Sequence, residues 1–280
     1  MKCKLKRGQL RRTLVTVLLV ALLLFMLFPF MVMISTMLKP GNEVYSASPH
    51  WIPHKVRLQN FVDVWVKYNL LRYFQNSLII AMGTTLLNMV LSVPAAYAVA
   101  RLRFRGRKFV LYLYLVIQMF SPVIVVISLF KTFASIGLLD SYLGLIIVNT
   151  VFTLAFSIWM MSGYFRSIPK EIEEAGFIDG CSRLQTIGRI IIPIAAPGIV
   201  VALIYTFITS WNEFLFALSF LQSERLMPLT IGLYNFVGRW TTQWEYLCAA
   251  SFFAILPVLI LFYFIEKNLI AGLTGGAVKA

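Results

Sequence analysis

Six stretches of this chain run for 20 residues or longer without a charged side chain: 13–38, 73–100, 109–130, 141–165, 190–212 and 246–265. About 20 mostly apolar residues of helix cross the hydrocarbon core of a bilayer. Backbone amides in lipid must bond within their own segment, so runs of this length form helices rather than open strands. The fifth run keeps its apolar character past Glu213 to Leu221. A soluble core built from six such runs is a poor alternative by the length criterion. The expected fold is an all-α polytopic membrane protein with six transmembrane helices.

The charge distribution orients those spans. The chain is 60% hydrophobic and 13% charged, unlike an ordinary soluble domain. Its net charge of +14 first suggests nucleic acid or acidic lipid. Nucleic acid is discounted, because the Lys and Arg gather where topology needs them: 2–12, 101–108, 166–189, and Lys267 with Lys279. The positive-inside rule then places both the N- and C-termini in the cytoplasm. "RLRFRGRK" (101–108) reads as a topology determinant touching anionic headgroups. The N-terminus has a basic start like a signal peptide, but its apolar part is too long and no A-x-A site follows. It is read as an uncleaved first span, 13–38. Cys3, Cys181 and Cys248 are scattered singly and imply no disulfide framework.

The longest polar connection, 39–72, lies outside and opens with the turn signal "KPGNE". Phe61, Trp65, Tyr68 and Leu71 recur there at helical spacing. They fit an amphipathic helix at the outer interface or a packed extracellular helix. The link 222–245, rich in Gly, Thr and aromatics, is expected to form a re-entrant cap. Pro29, Pro94, Pro122 and Pro257 lie within spans, where kinks are expected.

Against this oily background, four of the 11 acidic residues (Glu171, Glu173, Glu174 and Asp179) fall within nine positions. Ser167 can cap a helix whose first turn holds Pro169. The glutamates crowd that N-terminal turn, where the helix dipole favours anions. Asp179-Gly180 is a turn signal, and Ser182 to Gln185 reads as a capping box that starts a second helix. Leu184, Ile187 and Ile191 are expected on one face of it. The segment 167–193 is thus helix, turn, helix on the cytoplasmic side. Ala175, Gly176 and Gly180 are small enough for a partner's backbone to approach. A helical loop solvated by its own charges is the competing reading.

The spacing resembles the EAA motif of binding-protein-dependent ABC importer permeases. That pattern is Glu-Ala-Ala, a Gly four positions after the third residue, and Ile-x-Leu-Pro beginning ten further on. Here it reads Glu174-Ala175-Gly176, Gly180, and Ile190-x-Ile192-Pro193, with Asp179 before the glycine. The departures are Gly176 for the second alanine and Ile192 for leucine. "NSLIIAMGTTLLNMVLSVPAAYAVARLRFRGRK" (76–108), "WNEFLFALSFL" (211–221) and "GLTGGAVKA" (272–280) look like the carbohydrate-uptake branch, the maltose and glycerol-phosphate type. The resemblance covers nearly the whole chain and implies a type I ABC importer transmembrane fold. It implies one permease subunit, 1–280, with its ABC transmembrane core at 73–267. It makes Glu174, Ala175, Gly176, Asp179, Gly180, Arg189 and Pro193 the residues coupling to an ATPase. The implied partners are a second permease subunit, two ATP-binding cassette subunits, an extracytoplasmic sugar-binding protein and membrane lipid. The implied place is a bacterial or archaeal cytoplasmic membrane, and the cargo a sugar or oligosaccharide.

The chain has no G-x-x-x-x-G-K-[ST] stretch and no H-E-x-x-H. No cofactor, catalytic residue or metal site is expected in it, since ATP is used by the partner. His50 and His54 are four apart, but Pro53 interrupts a helix there and no third ligand is near. Candidates for the substrate pathway are the intramembrane polar and aromatic groups Asn149, Thr153, Ser157, Trp211, Asn212 and Glu213. Each polar group competes with a reading as a helix-to-helix hydrogen bond. A stand-alone secondary transporter or channel is the alternative function, with Glu213 as its one good coupling acid. An intramembrane enzyme finds no supporting constellation.

Overall fold

A computed structural model describes residues 2–274 apart from Ala47, Pro49, Arg239 and Trp240. The side chains of 2–11, 265–274 and several positions between 108 and 118 fall outside that description. Residues 275–280, and with them most of the 272–280 stretch singled out above, also lie outside it. The described chain is helical, and its only strand-like pairing is an isolated bridge from Val237 to Thr242.

The chain divides into two compact units, 1–70 with 235–255, and 71–234 with 256–280. The first unit begins with α1 (Lys2–Met37), which carries the first uncharged run. None of its apolar span window is buried by protein, so its Leu, Val and Phe side chains face outward as a lipid-exposed helix requires. The short α2 (Gly41–Val44) and α3 (Gln59–Val66) follow. Asn60, fully buried, donates through Nδ2 to the carbonyls of Met37 (2.9 Å) and Lys39 (2.8 Å). It thereby satisfies one acceptor that the end of α1 leaves open and one in the turn just beyond it. Phe61 and Trp65 on α3 pack against Phe253, with ring centroids 6.0 and 4.9 Å apart, and Tyr68 packs against Phe236 and Tyr246. Phe61, Trp65 and Tyr68 are thus packed against the chain, and Leu71, exposed, is not part of this aromatic contact.

The second unit begins with α4 (Leu70–Arg101), the second run. The third run is not one rod. It is α5 (Arg107–Met119) and α6 (Pro122–Ser135), with Ser121 extended between them at ψ 130. Proline lacks the amide N–H and drives the residue before it out of the α region, so Pro122 starts a helix instead of bending one. The fourth run is α7 (Tyr142–Ser167), capped by the Ser141 hydroxyl, which accepts from Gly144 N at 3.1 Å. Half of its span window is buried, against a third for α4, which makes α7 the central helix of this unit. Next come α8 (Lys170–Ile178), α9 (Arg183–Thr186) and α10 (Ile192–Ile194). The fifth run continues as α11 (Ala196–Trp211), turns at 212–214, and resumes as α12 (Leu215–Phe220). The helical segments Arg183–Ile194 and Ala196–Trp211 meet at 78°. Beyond α13 (Leu229–Tyr234), α14 (Trp244–Thr274) carries the sixth run, starting in the first unit and ending in the second. Among the described residues, four helices are long and apolar enough to cross a membrane, or five if the bent pair is one span.

Two apolar clusters organise the second unit. One holds Tyr97, Ile158, Met161, Phe165, Ile191 and Ala202. The other holds Ile80, Phe133, Leu145, Val148, Phe216 and Phe220. Between them, along α4, α7 and α11, lies a belt of buried polar side chains that includes Thr84, Asn88, Asn149, Thr153, Ser157, Thr206 and Ser210. Beyond the belt α7 and α11 approach closely: the Tyr164 ring occupies the space where Gly198 would carry a Cβ. The link 222–234 folds back onto its own unit. Asn76 Nδ2 donates to the carbonyls of Arg225 and Met227, both at 2.8 Å, and Leu229 N donates to Ser77 Oγ at 2.7 Å. Asp140 anchors the same link, accepting from Gln222 N (3.0 Å), Ser223 N (2.9 Å) and the Ser223 hydroxyl. The Ser223 hydroxyl, then the Ser223 and Gln222 amides, hold the Asp140 carboxyl below the ordinary carboxylate range.

Candidate functional site

Local chemistry builds the acidic elbow in two arms. Pro169 drives Ile168 to an extended ψ of 127 and so separates α7 from α8. Ser167 does not cap α8 as its position suggests: it is the last residue of α7, and its hydroxyl donates to Tyr164 O at 2.8 Å. The first arm ends as the Asp-Gly signal requires. Gly180 takes φ +83, Gly180 N donates to Phe177 O (3.1 Å) and Cys181 N to Gly176 O (3.0 Å), a Schellman closure. The capping box opens the second arm: Ser182 N donates to Gln185 Oε1 (2.9 Å) and Gln185 N to Ser182 Oγ (3.4 Å).

After one α turn the second arm widens. Ile187–Ile191 form a π turn, with Ile192 N donating to Ile187 O. Such single-turn widenings shift the register of a helix face and recur at functional sites. Here the shift undoes the expected apolar stripe, since Ile191 is fully buried while Leu184 is 82% exposed. Gly176 also differs from expectation. It is buried against the chain's own second arm, where an added Cβ would lie 2.7 Å from Ile190 Cδ1 and 3.4 Å from Thr186 Cγ2. Its smallness closes the elbow on itself.

Of the coupling candidates, Glu174, Ala175, Asp179, Gly180, Arg189 and Pro193 are exposed and Gly176 is buried. Ile178, 85% exposed, and Leu184 stand among the exposed polar groups as large apolar side chains with no cover from this unit. On the inner side of α8, Glu173 turns toward α4. Its carboxylate accepts from the Tyr97 hydroxyl and lies 3.4 Å from Arg101 Nε.

The pathway candidates separate into two groups. Asn149, Thr153 and Glu213 meet at one cavity of about 260 Å³, with Thr209, Ser210 and Phe216 also in its wall. Ser157, Trp211 and Asn212 are not in that wall. The Ser157 hydroxyl is 3.3 Å from that of Thr206, inside the helix interface. Trp211 is buried against Phe74 and Phe207, with centroids 5.5 and 5.7 Å away. Asn212 donates to Ile208 O at 2.9 Å, closing the end of its own helix. Within the belt, Asn149 Nδ2 donates to Ser210 Oγ (3.2 Å), Ser210 Oγ to Thr84 Oγ1 (3.2 Å), and Asn88 Nδ2 to Thr153 Oγ1 (2.8 Å). Thr84 and Asn88 are not among the sequence candidates, although their spacing of four on an otherwise oily helix marks a polar stripe.

Glu213 has a definite partner set. Its two carboxylate oxygens accept from Phe216 N (2.6 Å) and Ala217 N (3.0 Å), and its carbonyl from Thr230 Oγ1 (2.8 Å). The acid thus caps α12 at the break in the fifth run, supplying the acceptors that a helix N-terminus lacks. Among the described residues no group of three or more His, Cys, Asp or Glu is placed to hold a metal ion.

Comparison with known proteins accords with this architecture. The family described as binding-protein-dependent transport system inner membrane component matches residues 89–274. An inner membrane ABC transporter permease of Escherichia coli K12, YcjP, is 36% identical, covering 92% of each chain. The trehalose/maltose transport system permease MalG of Thermococcus litoralis is 34% identical, covering 96% of this chain and 98% of its own. The sulfoquinovosyl glycerol transport system permease SmoH of Agrobacterium fabrum is 34% identical, covering 90% and 89%. Among solved structures, a chain of a bacterial ABC transporter importing the acidic polysaccharide alginate shares the fold. Its TM-score is 0.81 at 23% identity, over 92% of this chain and 96% of that one. The chain belongs to the family of binding-protein-dependent transport system inner membrane components, as a membrane-spanning permease subunit.

Proposed function

We propose that this subunit carries a sugar or oligosaccharide from an extracytoplasmic binding protein into the cytoplasm, driven by ATP hydrolysed on separate subunits that dock at the elbow 167–193. The observation that carries this reading is the outer face of the elbow. Ile178 and Leu184 are large, apolar and exposed beside Glu174, Asp179 and Gly180 on a rigidly capped structure. Exposed apolar groups ringed by polar ones mark a protein contact. The relatives named for trehalose and maltose and for sulfoquinovosyl glycerol support a glycoside cargo. A second permease subunit completes the pathway, and no catalytic step falls to this chain.

Within the membrane, the proposed contribution to the pathway is the cavity wall of Asn149, Thr153 and Glu213, joined by Thr209 and Ser210. Ser157, Trp211 and Asn212 act as packing and capping groups around it. The test is uptake of labelled sugars into vesicles holding the purified subunit with its co-purifying proteins. Uptake is expected only with ATP and the binding protein together. Uptake driven by a proton gradient without ATP would support the secondary-transporter reading instead.

A further inference from the structure

Three of the four acidic residues in the elbow face solvent, and one does not. Glu171, Glu174 and Asp179 are exposed, whereas the Glu173 side chain retains 12% of its accessible surface. Its partner Arg101 retains 6%. Two charges withdrawn so far from water need each other, because a buried ion left alone is strongly disfavoured. Arg101 Nη2 also donates to Ile168 O at 2.6 Å, in the linker between α7 and α8. Tyr97, 3% exposed, lies one turn before Arg101 on α4 and donates its hydroxyl to the same carboxylate. Its ring packs edge-on against Phe165 of α7, 6.1 Å between centroids. One carboxylate therefore ties α8 to the end of α4, and one guanidinium ties α4 to the α7–α8 linker.

We propose that Glu173, held by Arg101 and Tyr97, is the positioning residue that makes a movement of the elbow a movement of the second span. The inference rests on the proposed docking of an ATPase at the elbow and adds the inner half of that joint. The second arm reaches span five through the chain itself. The first arm has the short linker to α7, the contact of Gly176 with the second arm and the apolar packing of Ile172 on the cluster that holds Tyr97; the Glu173 contacts add the directional polar tie that fixes its tilt to α4. A contact of this kind acts after docking. Its loss separates ATP hydrolysis from transport and leaves assembly intact, whereas a residue of the docking face would lose both together.

The experiment uses the complete transporter in vesicles, with binding protein, ATP and transported sugar, and reads ATP hydrolysed per sugar moved. For Glu173→Gln and Arg101→Ala, the ATPase subunits are expected to co-purify as with wild type. The ATP used per sugar should rise about fivefold or more, the size of an ordinary coupling free energy. Tyr97→Phe should show a smaller rise. The reversed pair Glu173→Arg with Arg101→Glu should recover part of the coupling that each reversal loses alone. An unchanged ratio in both single variants overturns the proposal. So does loss of the ATPase subunits from either, or a double reversal no better than the singles. The wild-type complex separates the two levels of argument: if it needs no ATP, the docking reading fails; if it does and the variants behave like it, only the role of Glu173 fails.

Discussion

Gly176 and Gly180 sit four residues apart in one motif, and burial alone would rank their sensitivities the wrong way round. Gly176 is buried, yet the atom that an added methyl meets first is the mobile δ-methyl of Ile190. Alanine also gains about 1 kcal/mol of helix preference over glycine. Gly176→Ala should therefore lie within about 1 kcal/mol of wild type in thermal unfolding of the detergent-purified protein, while a Leu there, with nowhere to go, should cost about 1–3 kcal/mol. Gly180 is exposed, with nothing within 4 Å of the Cβ position, but its φ is +83. Gly180→Ala should cost about 1–2 kcal/mol through backbone strain alone, and hydrogen exchange over 176–186 should rise. Equal effects at the two sites would contradict this account. Asp140 offers a pH test. Its carboxyl is held below the ordinary range by Ser223 and Gln222, so its contribution is present above the unfolded value near 3.9 and is lost as pH falls through the lower folded value. Exchange at 220–226 should increase in wild type as pH drops through that window, and Asp140→Asn should already show the open behaviour at neutral pH.

Among the elements, the ends with strong local chemistry were legible from residues. Asp179-Gly180, the Ser182 to Gln185 box and the starts of the fourth and sixth spans, to within two residues, follow from backbone and charge rules, whereas the second span's helix starts at Leu70, ahead of Arg72. The breaks in the third and fifth runs were not legible. Pro122 was visible, but whether a proline bends a membrane helix or begins a new one depends on where the freed groups bond. Glu213 was visible too, but its task depends on a turn that only the fold supplies. The π turn at Ile187–Ile191 is likewise a tertiary outcome, and it is why the stripe through Leu184 fails. Glu213 provides the element-scale prediction. Removing both acceptors by Glu213→Ala leaves two partly buried amides unpaired, at about 1–3 kcal/mol each. Glu213→Gln keeps one acceptor, should lose less, and should retain most ATP-driven uptake. Abolished uptake in Glu213→Gln with normal stability would favour a proton-coupling role for the acid and count against a capping one.

At the scale of the whole molecule, the placement of polar chemistry separates two tasks. The intramembrane polar groups of the second unit bond to one another across helices and to carbonyls of their own helices, as a belt between two apolar clusters. The outer face of the elbow turns Glu174, Asp179, Ile178 and Leu184 outward. Family membership and fold account for the membrane body, and in the proposed reading the elbow is where an external source of work reaches it. The most direct measurement places a photoreactive side chain at Leu184, and separately at Ile178, in the transporter within its native membrane. The account predicts a covalent product with a P-loop ATPase from both positions, and none from a control position on the lipid-facing side of α1. Cross-links from 178 and 184 to lipid alone, in membranes that still carry out ATP-dependent uptake, would contradict it.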